Sequence, residues 1–345
     1  MSNLPFGLKC ASGGFSTPIL CDDMSLLVPA PQCVTVPTDF ATIQAAVNSV
    51  TTPTLIHVCG GTYAGFTIDS PAASITVRGA GDSTIVMGPV TVSGTISTSF
   101  TRVNLEDMFI VGEGASPALT LAGTSTSPFF LNTYTVSNVK MITAPAALAP
   151  PGSTALSTLA MSNTSLVPVT LDNCSIRNFN GTETVTITGD GSSDFISCLI
   201  ENSDAAGSAG TIISLTGTGA GVPTIFRNTT MNGATAGGAF AIAIDAKSVN
   251  IFNCKIQNIS SSVPRGNGMF LLNGANATVS ACQIFVSATV SGGAGTEWWA
   301  SGDGTANVYT YGANAFQNAL GLFGTSRVSS AGIPAQNLMI AEVII

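Results

Sequence analysis

From residue 171 to residue 286 the chain repeats one pattern of apolar and polar positions. Five segments superimpose: Leu171–Asn178, Phe195–Asn202, Phe226–Gly233, Ile251–Asn258 and Val279–Val286. Each alternates apolar and polar residues and then meets a cluster of Gly, Ser, Asn or Asp, the pattern of a short strand followed by a turn. The fourth position of the unit falls at Cys174, Cys198, Thr229, Cys254 and Cys282, 24 to 31 residues apart. Weaker copies stand upstream at Leu105–Gly112 and Val136–Thr143. Strands that must stack, joined by turns that can lengthen, predict a parallel β-solenoid. In such a coil the recurring Cys, Ile and Asn become vertical ladders spaced by the usual strand separation of about 4.8 Å. An antiparallel sandwich would place Asn-Gly turns between equal strands; here Asn180-Gly and Asn232-Gly stand at unit ends. Helical periodicity is confined to residues 39–49, where Ile43, Ala46 and Val47 recur at i, i+3 and i+4 behind an Asp or Thr able to cap.

The fold class expected is therefore all-β, a parallel β-helix entered through a short N-terminal capping helix. The organisation read from the pattern is an N-terminal arm (1–33), the β-helix (34–290) and a non-repeat C-terminal cap or oligomerisation segment (291–345). The last of these ends in the apolar stretch Leu338–Ile345, which would be an aggregation hazard if exposed and is expected to pack on the coil or on another subunit.

The segment Val34–Asn48, with Ile56-His-Val-Cys-Gly-Gly-Thr-Tyr63, Phe66–Ile68 and Ile75-Thr-Val-Arg-Gly-Ala-Gly-Asp-Ser-Thr-Ile-Val86, resembles the start of pectin methylesterases and related pectate-lyase-like proteins. The resemblance covers about 55 residues specifically and implies a right-handed parallel β-helix. It builds the first rungs and not a catalytic groove. The esterases' catalytic motifs are a Gln in a Q-A-V-A-L strand, a G-Y-Q-D-T-L turn, a D-F-I-F-G strand and an Arg in L-G-R-P-W. Their counterparts here look like Glu183–Ile187, where the Gln is replaced, and Asn202–Gly207, where Asp204 is shifted and no Gln precedes it. Thr224–Arg227 lacks the Asp, and Arg-Pro-Trp does not occur. The nucleophile and general acid of such hydrolysis are not assembled from matching positions.

Composition agrees with a scaffold. Charged residues make up 8% of the 345, against about 25% in ordinary soluble domains, while 45% are hydrophobic, so a large core is expected. A net charge of −8 with no basic run excludes nucleic-acid binding, which needs clustered cations. Mean hydropathy is positive at +0.44, yet no apolar run reaches the length of a membrane span, and insertion is not expected. Residues 1–21 lack the basic and apolar regions of a secretory signal. With no C-x-x-C pair, no metal site and no cofactor are expected.

Few residues can carry acid-base chemistry. The densest acids are Glu106-Asp107 and the set Glu183, Asp190, Asp194, Glu201 and Asp204. Residues 183 to 204 span about one coil, so Glu183 and Glu201, or Asp190 and Asp204, could lie on adjacent rungs. If the chain is an enzyme, Glu183, Glu201 and Asp204 are the catalytic candidates; the plainer account is acids solvating a turn. His57, the single histidine, sits in an alternating strand where an outward polar position suffices. The ladder cysteines read as small buried hydrophobes, and Cys10, Cys21 and Cys33 as possible cross-links of the arm. Trp298 and Trp299 are the two tryptophans. They form either a sugar-stacking platform, the candidate ligand site, or a plug at the end of the coil or at a subunit interface.

The reading that follows is a non-enzymatic structural or adhesive protein, a component of a virus particle or other extracellular surface assembly such as a spike or fibre. It is expected to be a homo-oligomer, with a trimer favoured, and to contact other virion or surface proteins and a glycan. The competing readings are a carbohydrate-active esterase, lyase or hydrolase, and a glycan-binding module without chemistry.

Overall fold

The computed structural model describes residues 32–96, 101–113, 116–125, 133–143, 157–162, 167–179, 183–202, 211–219, 221–233, 240–260, 267–288, 298–303, 305–312, 314–317, 322–323 and 327–330. They form a right-handed parallel β-helix of three sheets. The first sheet has 12 strands and runs from Gln32–Val36 to Arg327–Ser330. The second has 10, from Gly61–Ala64 to Ala315–Gln317, and the third has 10, from Thr67–Asp69 to Leu322–Phe323. One full coil is Ser193–Ile196, Leu199–Asn202 and Thr211–Thr216, a strand from each sheet in turn. Every strand pairs in parallel with the strand one coil away, so backbone groups are satisfied between coils rather than by hairpins.

The repeat fixes the register. Leu171 pairs with Phe195, Phe195 with Phe226, Phe226 with Ile251 and Ile251 with Val279. The upstream copies join the same column, Leu105 opposite Val136 and Val136 opposite Leu171. All of these point inward and are buried, and a second column, Ile110, Met141, Ile176, Ile200, Met231, Ile256 and Ile284, closes the core from the second sheet. Burying a Leu, Ile or Phe side chain contributes about 1.5–3 kcal/mol, so the stacked columns hold the coils together with no disulfide among the described residues.

Between the first and second sheets the chain turns through one left-handed residue: Asp107, Asn138, Asn173, Ser197, Asn228, Asn253 and Ala281 all have φ between 51° and 55°. Asn and Asp tolerate this region because their short polar side chains bond locally. Here they bond along the ladder. Asn138 Nδ2 donates to Asp107 Oδ1 (3.1 Å), Asn173 Nδ2 to Asn138 Oδ1 (2.8 Å) and Asn253 Nδ2 to Asn228 Oδ1 (2.7 Å).

The capping helix is Ile43–Asn48, with Thr42 Oγ1 accepting from Ala45 N at 3.1 Å and Ile43, Ala46 and Val47 buried. Gln44 secures the edge of the third sheet: its Oε1 accepts from Thr67 N (2.7 Å) and its Nε2 donates to Thr67 O (3.0 Å). An amide side chain thereby occupies backbone groups that an open edge would offer to another strand.

At the other end the ladders continue past residue 290, where the motif fades. Asn267 pairs with Trp298, Val279 with Thr310, Gln283 with Ala315 and Asn307 with Arg327. The stretch 298–330 expected as non-repeat thus adds strands to all three sheets. Most of the N-terminal arm, with Cys10 and Cys21, and the tail 331–345 lie outside the described residues.

Candidate functional site

Strand alternation leaves three outward faces, and they differ in chemistry. One outward column of the third sheet reads Thr67, Thr91, Thr120, Ala160, Thr186, Ser214, Ala243 and Phe270. It carries no titratable group. The neighbouring column holds Asp69 and Asp245, six coils apart, among Ser, Thr, Ala and Leu. A surface of this kind offers hydroxyls to a ligand and no acid-base pair.

Two of the three candidate acids meet at one corner. Glu201 stands next to the end of the second-sheet strand Leu199–Asn202, Glu183 opens the third-sheet strand Glu183–Thr188 in the neighbouring coil, and Thr184 Oγ1 donates to the Glu201 carbonyl (3.1 Å). Each carboxylate is nevertheless engaged by its own partner. Glu183 accepts from Thr186 Oγ1 (2.7 Å), and Glu201 lies 3.1 Å from Arg177 Nε, one coil below. Asp204 lies outside the described residues. Asp190 belongs to the corner between the third and first sheets. It accepts from both the hydroxyl and the backbone N–H of Thr218, which hold its carboxyl below the usual range.

Beneath that corner is a buried lysine. Lys247 is 3% exposed and donates to the carbonyls of Gly189 and Gly191, two coils away. Burial pushes its ammonium down, opposed by the charge of Asp190. The hydroxyls of Ser193 and Thr224, paired in register nearby, are buried and have no hydrogen-bond partner among the described residues.

The first sheet's outward face brings together Asp172, Asp194 and Arg227. Thr170 pairs with Asp194, Asp172 with Ile196 and Ile196 with Arg227, so the two acids are diagonal neighbours with Cα atoms about 8 Å apart by strand geometry. Asp194 is half-buried, and its Oδ1 has no partner among the described residues. Burial pushes its carboxyl up, against the pull of Arg227. Asp194 stood in the acid set read from the sequence; Asp172 was missed. The signal for it was present, because the register Leu171–Phe195 places Asp172 outward beside Asp194.

The remaining candidates are structural. His57 sits outward in Thr54–Val58, between Thr35 and Arg78. Cys174, Cys198, Cys254 and Cys282 are buried and unbridged, and at this position the side chain of one coil accepts from the backbone of the coil before. Cys282 Sγ accepts from Cys254 N (3.5 Å), Thr229 Oγ1 from Cys198 N (3.4 Å) and Asn314 Oδ1 from Cys282 N (2.9 Å). The Cys198 thiol and burial push the Cys174 thiol up, which makes it a poor nucleophile. Trp298 and Trp299 begin the strand Trp298–Gly302; their side chains lie outside the described residues. Among the described residues no group of three His, Cys, Asp or Glu side chains could hold a metal ion, and no helix is long and apolar enough to cross a membrane.

No protein-family model matches the sequence, and no curated protein does. Solved structures do match. Alginate lyase from Paenibacillus sp. str. FPU-7 is 13% identical with a TM-score of 0.56, over 85% of this chain and 98% of that one. Pectate lyase Pel9A is 13% identical with a TM-score of 0.55, over 90% and 81%. The enzymatically active domain of tailspike protein 2 from bacteriophage CBA120 is 12% identical with a TM-score of 0.57, over 87% of this chain and 47% of that one. This chain thus matches about half of that tailspike domain. What is shared at these identities is the fold: the chain is a right-handed, pectate-lyase-like parallel β-helix.

Proposed function

We propose that this chain is a non-enzymatic β-helix scaffold of a virion surface, a spike or fibre component that contacts glycans without cleaving them and works as a homo-oligomer. The observation that carries the reading is where the carboxylates are used. Glu106 pairs with Arg78, Asp82 with Lys140 and Glu201 with Arg177. Asp107 and Asp245 accept from the Asn one coil on, Asp69 from Ser93, Asp190 from Thr218 and Asp303 from Thr305. These acids bind coils or turns to one another, and catalysis by paired carboxyls needs two that are free to face a common substrate. The fold is also one that a phage tailspike uses.

Light scattering on the full chain is the first test. An oligomer supports the assembly reading, and a strict monomer at micromolar concentration removes it. Incubation with surface polysaccharides, with reducing ends and unsaturated products measured, tests the absence of cleavage.

One observation favours the alternative, a carbohydrate-active enzyme. Asp194 and Asp172 share a face at a separation compatible with two-carboxyl chemistry, and burial favours the protonated form of Asp194, as a general acid requires. Product release abolished by Asp194→Asn and Asp172→Asn, and retained by Glu201→Gln and Glu183→Gln, would establish it.

A further inference from the structure

We propose that the stacked pairs Cys174–Cys198 and Cys254–Cys282 are buried dithiol sites, each of which takes one soft monovalent metal ion, copper(I), in linear coordination between neighbouring coils. The pairs are in register. Leu171 pairs with Phe195 and Ser175 with Leu199 on either side of the first, Ile251 with Val279 and Lys255 with Gln283 on either side of the second. All four side chains are between 1% and 3% exposed, and each follows an exposed corner residue, Asn173, Ser197, Asn253 or Ala281. In the first pair the rotamers repeat as well. The Cys174 thiol donates to Val136 O and Asp172 O (both 3.4 Å), the Cys198 thiol to Leu171 O (3.5 Å) and Ile196 O (3.3 Å), and these acceptors are themselves register partners. Cys198 Sγ is therefore Cys174 Sγ carried on by one coil, about 4.8 Å.

That separation decides between the chemistries open to two thiols. A disulfide needs sulfurs about 2.05 Å apart, which side chains held parallel do not reach. A linear sulfur–metal–sulfur unit, with two bonds of about 2.3 Å, spans about 4.6 Å, so an ion fits midway with both rotamers kept. Thiolates select copper(I), which two ligands satisfy. Zinc takes four, and among the described residues no group of three ligating side chains stands together. The surroundings favour anionic sulfur. Cys282 Sγ accepts from Cys254 N (3.5 Å), and the backbone N–H groups of Val139, Cys174 and Thr229 serve Cys174, Cys198 and Cys254 in the same way. Such donors stabilise a thiolate and tune a metal bound to it. The Cys174 thiol and N–H hold Cys198 below the usual thiol range against burial, and Cys254 does the same for Cys282, so the later Cys of each pair supplies the first thiolate. On binding, both S–H bonds break, two S–Cu bonds form and two protons leave to solvent, while copper remains Cu(I). Between the pairs stands Thr229, whose hydroxyl donates to the Phe195 and Arg227 carbonyls (3.3 and 3.0 Å), so the column holds separate sites rather than a continuous run. These sites are inside the coil and go beyond the scaffold reading without resting on it.

The test uses the full chain carrying Cys10→Ser, Cys21→Ser, Cys33→Ser and Cys59→Ser, loaded under argon with copper(I) as its acetonitrile complex and washed with bathocuproine disulfonate to strip weakly held metal. One retained copper per pair is expected, with the X-ray absorption edge of two-coordinate Cu(I), native circular dichroism and a raised unfolding temperature, since the ion binds only the folded arrangement. Adding Cys198→Ser should halve the retained copper, and Cys198→Ser with Cys282→Ser should abolish it. Thr229 already places a hydroxyl in this column, so Ser suits the position, and the edge measurement stands without either variant. Zinc(II) carried through the same protocol should not be retained. Copper undiminished in the double variant, a three-coordinate edge, equal retention of zinc, loss of native circular dichroism on loading, or no retained copper each overturns the sites. None of these outcomes bears on the scaffold reading, which fails on cleavage or on a strict monomer instead.

Discussion

The rings of Phe195 and Phe226 stack with centroids 4.8 Å apart and planes inclined by 24°, one coil above the other inside the helix. That centroid spacing equals the strand separation of a parallel sheet, so the two rings stack without displacing either backbone. They are the largest inward side chains of the motif column, and the smaller Leu171 and Ile251 stand on either side. Phe226→Ala would leave a cavity that a hydrogen-bonded coil cannot close, at a cost of about 3–5 kcal/mol. Phe226→Leu, which keeps most of the volume, should cost far less. Guanidinium unfolding midpoints of the two variants check the order. Equal losses would mean that the rings are not packed as a stacked pair.

The Asn ladder makes a second prediction. Asn253 has φ of 51°, donates its backbone N–H to Ser280 O (2.9 Å) and its amide to Asn228 Oδ1 (2.7 Å). Asn253→Ala loses the amide bond and places a Cβ residue without local bonding in the left-handed region, for a combined cost of about 1–2 kcal/mol. Asn253→Gly loses the bond but adopts the turn freely, so it should be the milder change. Thermal unfolding with Ala at least as stable as Gly would count against the conformational half of this account. Ala246 and Ala281 at φ of 48° and 55° bound the penalty from above, since the fold accepts Ala at such corners.

Much of this was legible because inward positions repeat. Leu171, Phe195, Phe226, Ile251 and Val279 align in sequence as they do in space, and the Cys at the fourth position marks the corner. The motif was lost at the next coil for two local reasons. Thr310 stands opposite Val279 and Asn314 takes the place of Cys282, so the apolar signal is gone, and Tyr311 to Ala315 is one residue longer than Ser280 to Gln283. Asn314 still makes the ladder bond, which polarity alone could not reveal. The outward sites were less legible, because they join residues a full coil apart. Glu183 and Glu201 are close in sequence and their strands do meet at a corner. Asp172 and Asp194 are neighbours only across the ladder.

Lys247 predicts an alkaline dependence of stability. Burial lowers its folded pKa below the unfolded value of 10.5, so between the two the unfolded chain binds more protons and stability rises with pH. The desolvation penalty is full below the folded pKa and is relieved as pH rises through it toward 10.5. Lys247→Met should lack this rise. The same substitution leaves the Gly189 and Gly191 carbonyls without their donor, a cost of about 1–3 kcal/mol per buried group, so the difference in slope is the diagnostic quantity. Unfolding free energies of both proteins at several pH values between neutrality and 10.5 check it. Parallel curves would show that Lys247 reaches solvent.

Asp194 gives the opposite case on an outward face. Burial raises its folded pKa above the unfolded value of 3.8, so its favourable contribution is complete below 3.8 and is lost as pH rises through the folded pKa. At neutral pH the ionised form is then a burden, and Asp194→Asn should raise the unfolding temperature relative to the native chain. Below pH 3.8 the protonated acid and the amide are alike in charge, and that advantage should vanish. The competing influence is Arg227, which favours the ionised form. If Asp194→Asn destabilises at pH 7 and the loss shrinks in acid, the ion pair dominates and Asp194 is one more carboxylate engaged in holding the coils together. If it stabilises at pH 7, Asp194 is held in a costly protonation state that the ladder does not need. That outcome would bring the polysaccharide-cleavage assays to bear on Asp194 first.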